Sequence, residues 1–139
     1  MTRKLLLFTL ALPLLFGCTE SEDEKAQPLL SKIEQLCKQK NYGATLDSIV
    51  LLRERYPKAI EARRRSLVLW QEASLGMAQE DVGKTDLLLQ ATLDSISKET
   101  NLYKANMLRV RRDSLQARYE ALCGVVRIIR VRQKENNQP

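Results

Sequence analysis

The three cysteines are the residues of this 139-residue chain best suited to covalent chemistry, and none has a histidine to work with. A thiol can attack a substrate, ligate a metal or accept an acyl group, but as a nucleophile it needs a base. The chain contains no histidine, which removes Ser–His and Cys–His pairs and the commonest metal ligand. Neither Cys37 nor Cys123 sits in a local nucleophile signature. The five glycines are scattered, so no phosphate-cradling loop exists. Glu61, Glu72, Asp86 and Asp94 are spaced as the wet face of a helix, and a helical frame offers little of the concavity that acid–base work requires. Glu20, Glu22, Asp23 and Glu24 crowd negative charge but lack the turn glycine and carbonyl ligands of a calcium loop. The expectation is a non-enzymatic chain with no catalytic residue, no metal site and no cofactor beyond a covalent lipid.

That lipid is expected on Cys18. Arg3 and Lys4 precede an apolar run from Leu5 to Phe16, interrupted only by Thr9 and Pro13. Such a run suits a secretory signal and is too short to cross ~30 Å of hydrocarbon, which takes about 20 helical residues. An ordinary cleaved signal or an uncleaved apolar helix would share those features. The ending Leu15-Phe16-Gly17-Cys18 resembles the lipobox of bacterial lipoproteins. The resemblance implies cleavage between Gly17 and Cys18 and acylation of the Cys18 thiol. Thr19 stands where enteric bacteria place the inner-membrane retention signal Asp, so outer-membrane anchoring is implied. The run Glu20, Glu22, Asp23, Glu24 is similar to the surface-export signal of Bacteroidetes lipoproteins, which implies cell-surface display; a periplasm-facing position is the alternative. Read without that resemblance, the same run is a solvated, self-repelling spacer.

The remaining charge is basic. The chain carries a net charge of +6, and removal of Arg3 and Lys4 with the leader leaves it positive. Arg63-Arg64-Arg65 and a series ending in Arg127, Arg130, Arg132 and Lys134 supply most of it. Arginines on a coiled-coil exterior are ordinarily solvated or paired along the helix. As a binding surface, the last four would meet anionic lipid, lipopolysaccharide or an acidic protein. Nucleic acid is not an expected partner for an exported chain.

These residues must be positioned by helices. Gly, Pro and aromatics are few, while Leu, Ala, Arg, Lys, Gln and Glu are plentiful, a mix that favours an all-α fold. After a leader (1–17) and an anchor with acidic linker (18–27), Pro28 suits a first helical turn. Leu29, Ile33, Leu36 and Cys37 then recur at helical spacing, predicting a helix over 28–40. Asn41-Tyr42-Gly43 reads as a break, and Leu46, Ile49, Val50 and Leu52 predict a second helix over 44–55, stopped at Tyr56-Pro57. This pair (28–57) resembles a tetratricopeptide repeat through Tyr42, Ile49 and Pro57, with Thr45 and Leu52 where the family prefers alanine. One such unit cannot bury its own apolar face and must pack on the C-terminal part of the chain.

The rest (58–135) is expected to be a long antiparallel coiled-coil hairpin. Val68, Leu75, Val82, Leu89 and Ile96 lie seven apart and predict a helix over 58–97, with Gly76 and Gly83 as its weak points. A second stripe, Ile60, Leu67, Trp70 and Met77, marks only its first half, the face expected to lie under the short pair. Residues 97–101 read as a turn. Leu108, Leu115, Leu122 and Ile129, with Ala105, Tyr119 and Val126 between them, predict the returning helix over 102–134. The β-branched run Val125–Val131 stays in that heptad and is read as helix, with Val125, Ile128 and Val131 surplus to the seam and facing the short pair, the membrane or a second copy. Counting across the turn separates Cys37 from Cys123 by more than a disulfide spans, so two free thiols are expected. The expected function is that of an outer-membrane-anchored scaffold or adaptor for an unidentified envelope protein, with homo-oligomerisation open.

Overall fold

The structure, a computed structural model, describes residues 20–136. Gly17 and Cys18 lie outside them. The described chain is all-α, with helices α1 (Glu22–Lys38), α2 (Tyr42–Arg55), α3 (Ile60–Lys98) and α4 (Leu102–Asn136) and no strand among the described residues. The short pair α1–α2 packs on the base of the long antiparallel pair α3–α4. Among the described residues, α4 touches α3 and neither of the short helices.

Helix α1 begins at Glu22, well before Pro28, and this corrects the expected linker over 18–27. The reason is a capping box. Ser21 Oγ accepts from Glu24 N at 3.2 Å, and Glu24 Oε2 accepts from Ser21 N at 2.6 Å, which satisfies two of the helix's orphan donors. Ala26 then packs fully buried in the core. Pro28 sits inside the helix, where its missing N–H forfeits the bond to the Glu24 carbonyl.

The break between α1 and α2 also falls earlier than the Asn41-Tyr42-Gly43 reading. Lys40 takes the left-handed conformation (φ 59°), while Asn41 N donates to Leu36 O at 3.0 Å and Lys40 N to Cys37 O at 2.9 Å. That is a Schellman ending built on lysine where glycine is usual. Tyr42 and Gly43 already belong to α2, capped by Asn41.

The core lies in the three-helix base. Leu30 and Ile33 of α1 meet Ile49 and Leu52 of α2 over Ala59 and Ala62 at the start of α3. The face of α3 buried there is not the large stripe Ile60, Leu67, Trp70. Those three are exposed, Ile60 at 72%. The covered positions are Ala59, Ala62, Ser66, Leu69 and Ala73, followed by Gly76, again three and four apart but mostly small. Small side chains let the short helices approach closely, and the bulk comes from Ile33, Ile49 and Leu52 on the other side.

Helix α3 runs unbroken through Gly76 and Gly83. Gly76 has a packing reason, because a Cβ there would fall inside the Tyr42 ring. Beyond the base, α4 buries its predicted seam against α3. Ala105, Leu108, Leu115, Tyr119, Leu122, Val126 and Ile129 are all less exposed than their outward neighbours. On α3, Leu89 is 6% exposed, whereas Val68 in the same seven-residue series is 62% exposed. Alternating with Leu75, Val82 and Leu89, the seam is completed by buried Ala78, Thr85 and, beyond Leu89, Thr92. Those positions carry no apolar signal and were not anticipated as core.

Candidate interaction surfaces

The acidic run is built into the fold. Glu20 is exposed and precedes the helix, Glu24 closes the capping box, and Glu22 lies 3.9 Å from Lys25 Nζ. Asp23 reaches furthest: its Oδ1 accepts from Ala62 N at 2.8 Å, across 39 residues. Ala62 is in the first turn of α3, whose own N-cap residue, Ala59, has no side-chain acceptor. Asp23 therefore caps α3 from another helix and places its charge at the positive end of that helix dipole. Sequence reasoning missed this role because the partners are distant in the chain.

The basic residues divide. Arg65 Nε bonds Glu34 Oε1 at 2.6 Å, and Arg63 Nη1 donates to Pro57 O at 2.6 Å, so two of the Arg63–Arg65 triplet serve the base. Arg112, at a seam position, is half-buried and holds Asp113 Oδ1 at 2.8 Å from Nε. Arg127, Arg130 and Lys134 share one open groove of α4 with Cys123. Arg132 lies on the opposite flank, where Leu67 and Trp70 of α3 meet Ile129. The four cations expected to act together thus sit on two sides of one helix.

Cys37 and Cys123 are free thiols. Cys37 is buried on α1 beside a groove of about 440 Å³ that Glu34, Arg65, Val68 and Glu72 help to line. Burial pushes its thiol up, and the Glu72 carboxylate beside it adds to the rise through charge and a hydrogen bond. A thiol held protonated is a poor nucleophile and a poor metal ligand. Cys123 is half-buried on α4 near Tyr119, whose phenol is pushed up mainly by a hydrogen bond with that thiol, then by the charges of Cys123 and Asp86. Among the described residues no group of three or more Cys, Asp or Glu is arranged to hold a metal ion, and no helix is long and apolar enough to cross a membrane.

What the described surface does offer is apolar. Val125, Ile128 and Val131 are exposed, and because α4 does not touch the short pair, they do not face it as one expectation had it. Leu87 and Leu88 on α3, and Tyr103, Met107 and Val110 on α4, are exposed as well and were missed in the sequence. For the three on α4 the signal was present in the positions opposite its seam. Compared with family models, curated proteins and solved structures, the chain matches none.

Proposed function

We propose that this chain is a non-enzymatic outer-membrane lipoprotein, anchored through Cys18, that offers helical faces to an envelope protein as scaffold or adaptor. The observation that carries the reading is the shortness of the tether. Ser21 caps α1 only three positions after Cys18, a reach of about 10 Å at ~3.3 Å per residue. An anchored Cys18 would hold the base of the bundle against the membrane and direct the α3–α4 tip away from it, a posture suited to presenting surfaces. Support for a role without chemistry comes from the lack of histidine and the protonated state of Cys37. The test has two parts. Cys18→Ala should move the protein from the membrane to the soluble fraction and abolish incorporation of labelled palmitate. Photo-crosslinkers at Leu67 and Leu88 should then trap a discrete envelope protein in the anchored form. Retention of Cys18→Ala in the membrane would end the anchor reading, and absence of any adduct would end the adaptor reading.

A second reading rests on the Arg127–Arg130–Lys134 groove. In it, these cations bind anionic envelope lipid or lipopolysaccharide. Affinity for phosphatidylglycerol vesicles would then fall steeply with salt. Reversing the charges with Arg127→Glu and Arg130→Glu should abolish binding; unchanged binding removes this reading.

A further inference from the structure

The last turns of α4 carry charge that the fold does not use. From Ala121 to Lys134 there are four cations, Arg127, Arg130, Arg132 and Lys134, and neither Asp nor Glu. None of these is in an ion pair among the described residues, whereas Arg63, Arg65 and Arg112 each hold an oxygen of their own. A helix dipole favours cations in its last turn and fades beyond it. Only Lys134 stands there. Between the charges the same turns expose Val125, Ile128 and Val131, with Ile128 at 59%. Ile128 and Val131 point away from α3. Arg127, Arg130 and Lys134 line one side of them and Arg132 the other.

We infer that this segment docks on the surface of an anionic bilayer. Ile128 and Val131 enter the headgroup region, and the four cations reach lipid phosphates from either side of them. The inference rests on the reading that these cations meet anionic lipid; it commits that site to a bilayer and adds an apolar insertion. An apolar ridge with long basic side chains on both flanks is the form of an interfacial helix, because the stems lie along the apolar boundary while the charged heads stay in water. The placement agrees. Asp23, in the first turn of α1, bonds Ala62 in the first turn of α3, and Arg132 lies beside Leu67, so the start of α1 and the end of α4 share one end of the bundle. An anchored Cys18 would hold that end at the membrane. Toward the tip the acids return at Glu120 and Asp113, so the contact stops there and the hairpin leans away. The docked stretch from Val125 to Lys134 is roughly 14 Å long at the helical rise.

Charge and shape weigh against other occupants. Two copies meeting over Ile128 would bring both sets of cations together, with no acid from Ala121 to Lys134 to offset them. An acidic protein would answer the charge but needs a shaped seat for its side chains. Here the ridge belongs to one helix: α4 touches α3 alone, and the groove shared by Arg127, Arg130 and Lys134 is lined by α4 residues only. A fluid bilayer needs no such seat. Glu135, the one acid of the last turn, lies on the flank of Arg132 and Leu67 and leaves the balance well on the basic side.

The test reads the surroundings of position 128 in the full-length chain. Ile128→Cys is made with Cys37→Ala and Cys123→Ala and carries an environment-sensitive dye. The chain with those two alanines alone is the blank for Cys18, and Lys104→Cys reports from the tip. On phosphatidylglycerol vesicles the Ile128→Cys dye should shift to the blue and brighten, and the Lys104→Cys dye should not. Phosphatidylcholine vesicles should give no shift, and neither should phosphatidylglycerol once Arg127→Glu and Arg130→Glu are added. A dye at position 128 that stays wet, while vesicle affinity still drops with the two charge reversals, would overturn the insertion and leave the electrostatic reading standing. No response of either kind would end both. An equal shift on the two lipids would mean that the cations do not select the surface and would overturn the inference. A shift in buffer without vesicles, in a particle of twice the single-chain mass, would assign the face to a second copy instead.

Discussion

Asp23 shows how much one side chain can carry. Its carboxylate joins the start of α1 to the start of α3, and α3 has no cap of its own. Asp23→Ala should cost about 1 kcal/mol in urea denaturation, in the range of lost N-caps. Asp23→Asn keeps an acceptor and should cost less; equal losses would show that charge, not the hydrogen bond, is what matters. The two helical glycines of α3 make a second contrast. Gly83→Ala should stabilise by up to ~1 kcal/mol, since a Cβ there meets nothing within 4 Å. Gly76→Ala should instead destabilise by ~1–3 kcal/mol through overpacking against Tyr42, and Tyr42→Ala in the same chain should remove that penalty. Cys37 supplies a pH dependence. Its thiol is raised above the usual value of 9.0 by burial and by Glu72, so the folded protein keeps this proton where the unfolded chain loses it. The stability contribution is therefore full below pH 9 and is lost as pH rises through the folded value. Relative to Cys37→Ala, the wild type should lose stability as pH climbs above 9, and a parallel course for the two proteins would show that the thiol is not so held.

The elements owe their form to two different kinds of pattern. The α3–α4 seam follows the seven-residue apolar repeat, a local property that survives in any context where a partner helix is near. It was legible along α4 from Ala105 to Ile129. It was half legible along α3, because Ala78, Thr85 and Thr92 complete the seam without being strongly apolar. The same repeat misled at Val68, which keeps the spacing but lies off the face that α4 follows there, where Leu67 and Trp70 are the residues beside Ile129. Leu89→Ala should accordingly cost about 2–5 kcal/mol, in the range of buried Leu truncations. Val68→Ala should cost less than ~0.5 kcal/mol, as exposed substitutions do. Equal costs would mean that α4 grips α3 along the whole heptad series. At the base, pattern reading chose the wrong face of α3, since large apolar residues attract attention and Ala59, Ala62, Ser66 and Ala73 do not. Close packing favours the flat face because α1 and α2 bring the volume.

At the scale of the molecule, the bundle is held together at one end. Its core belongs to α1, α2 and the beginning of α3, and the hairpin extends from it on a seam of its own. Residues 20–27, expected as a spacer, are part of that end through the capping box, Asp23 and the buried Ala26. Deleting them should lower the urea midpoint of the whole protein and expose Cys37 to maleimide. A spacer could be removed with neither effect.

By itself the sequence determined the four helices of the described residues, the turn before Leu102, the seam of α4 and the separation of the two thiols. These come from periodicity, from breaker residues and from counting along rods of known rise. Only the tertiary structure decided where α1 begins, which face of α3 is covered, why Gly76 is a glycine and what Asp23 does. Each of those depends on a contact between residues far apart in the chain, made by small or polar side chains whose own spacing announces nothing.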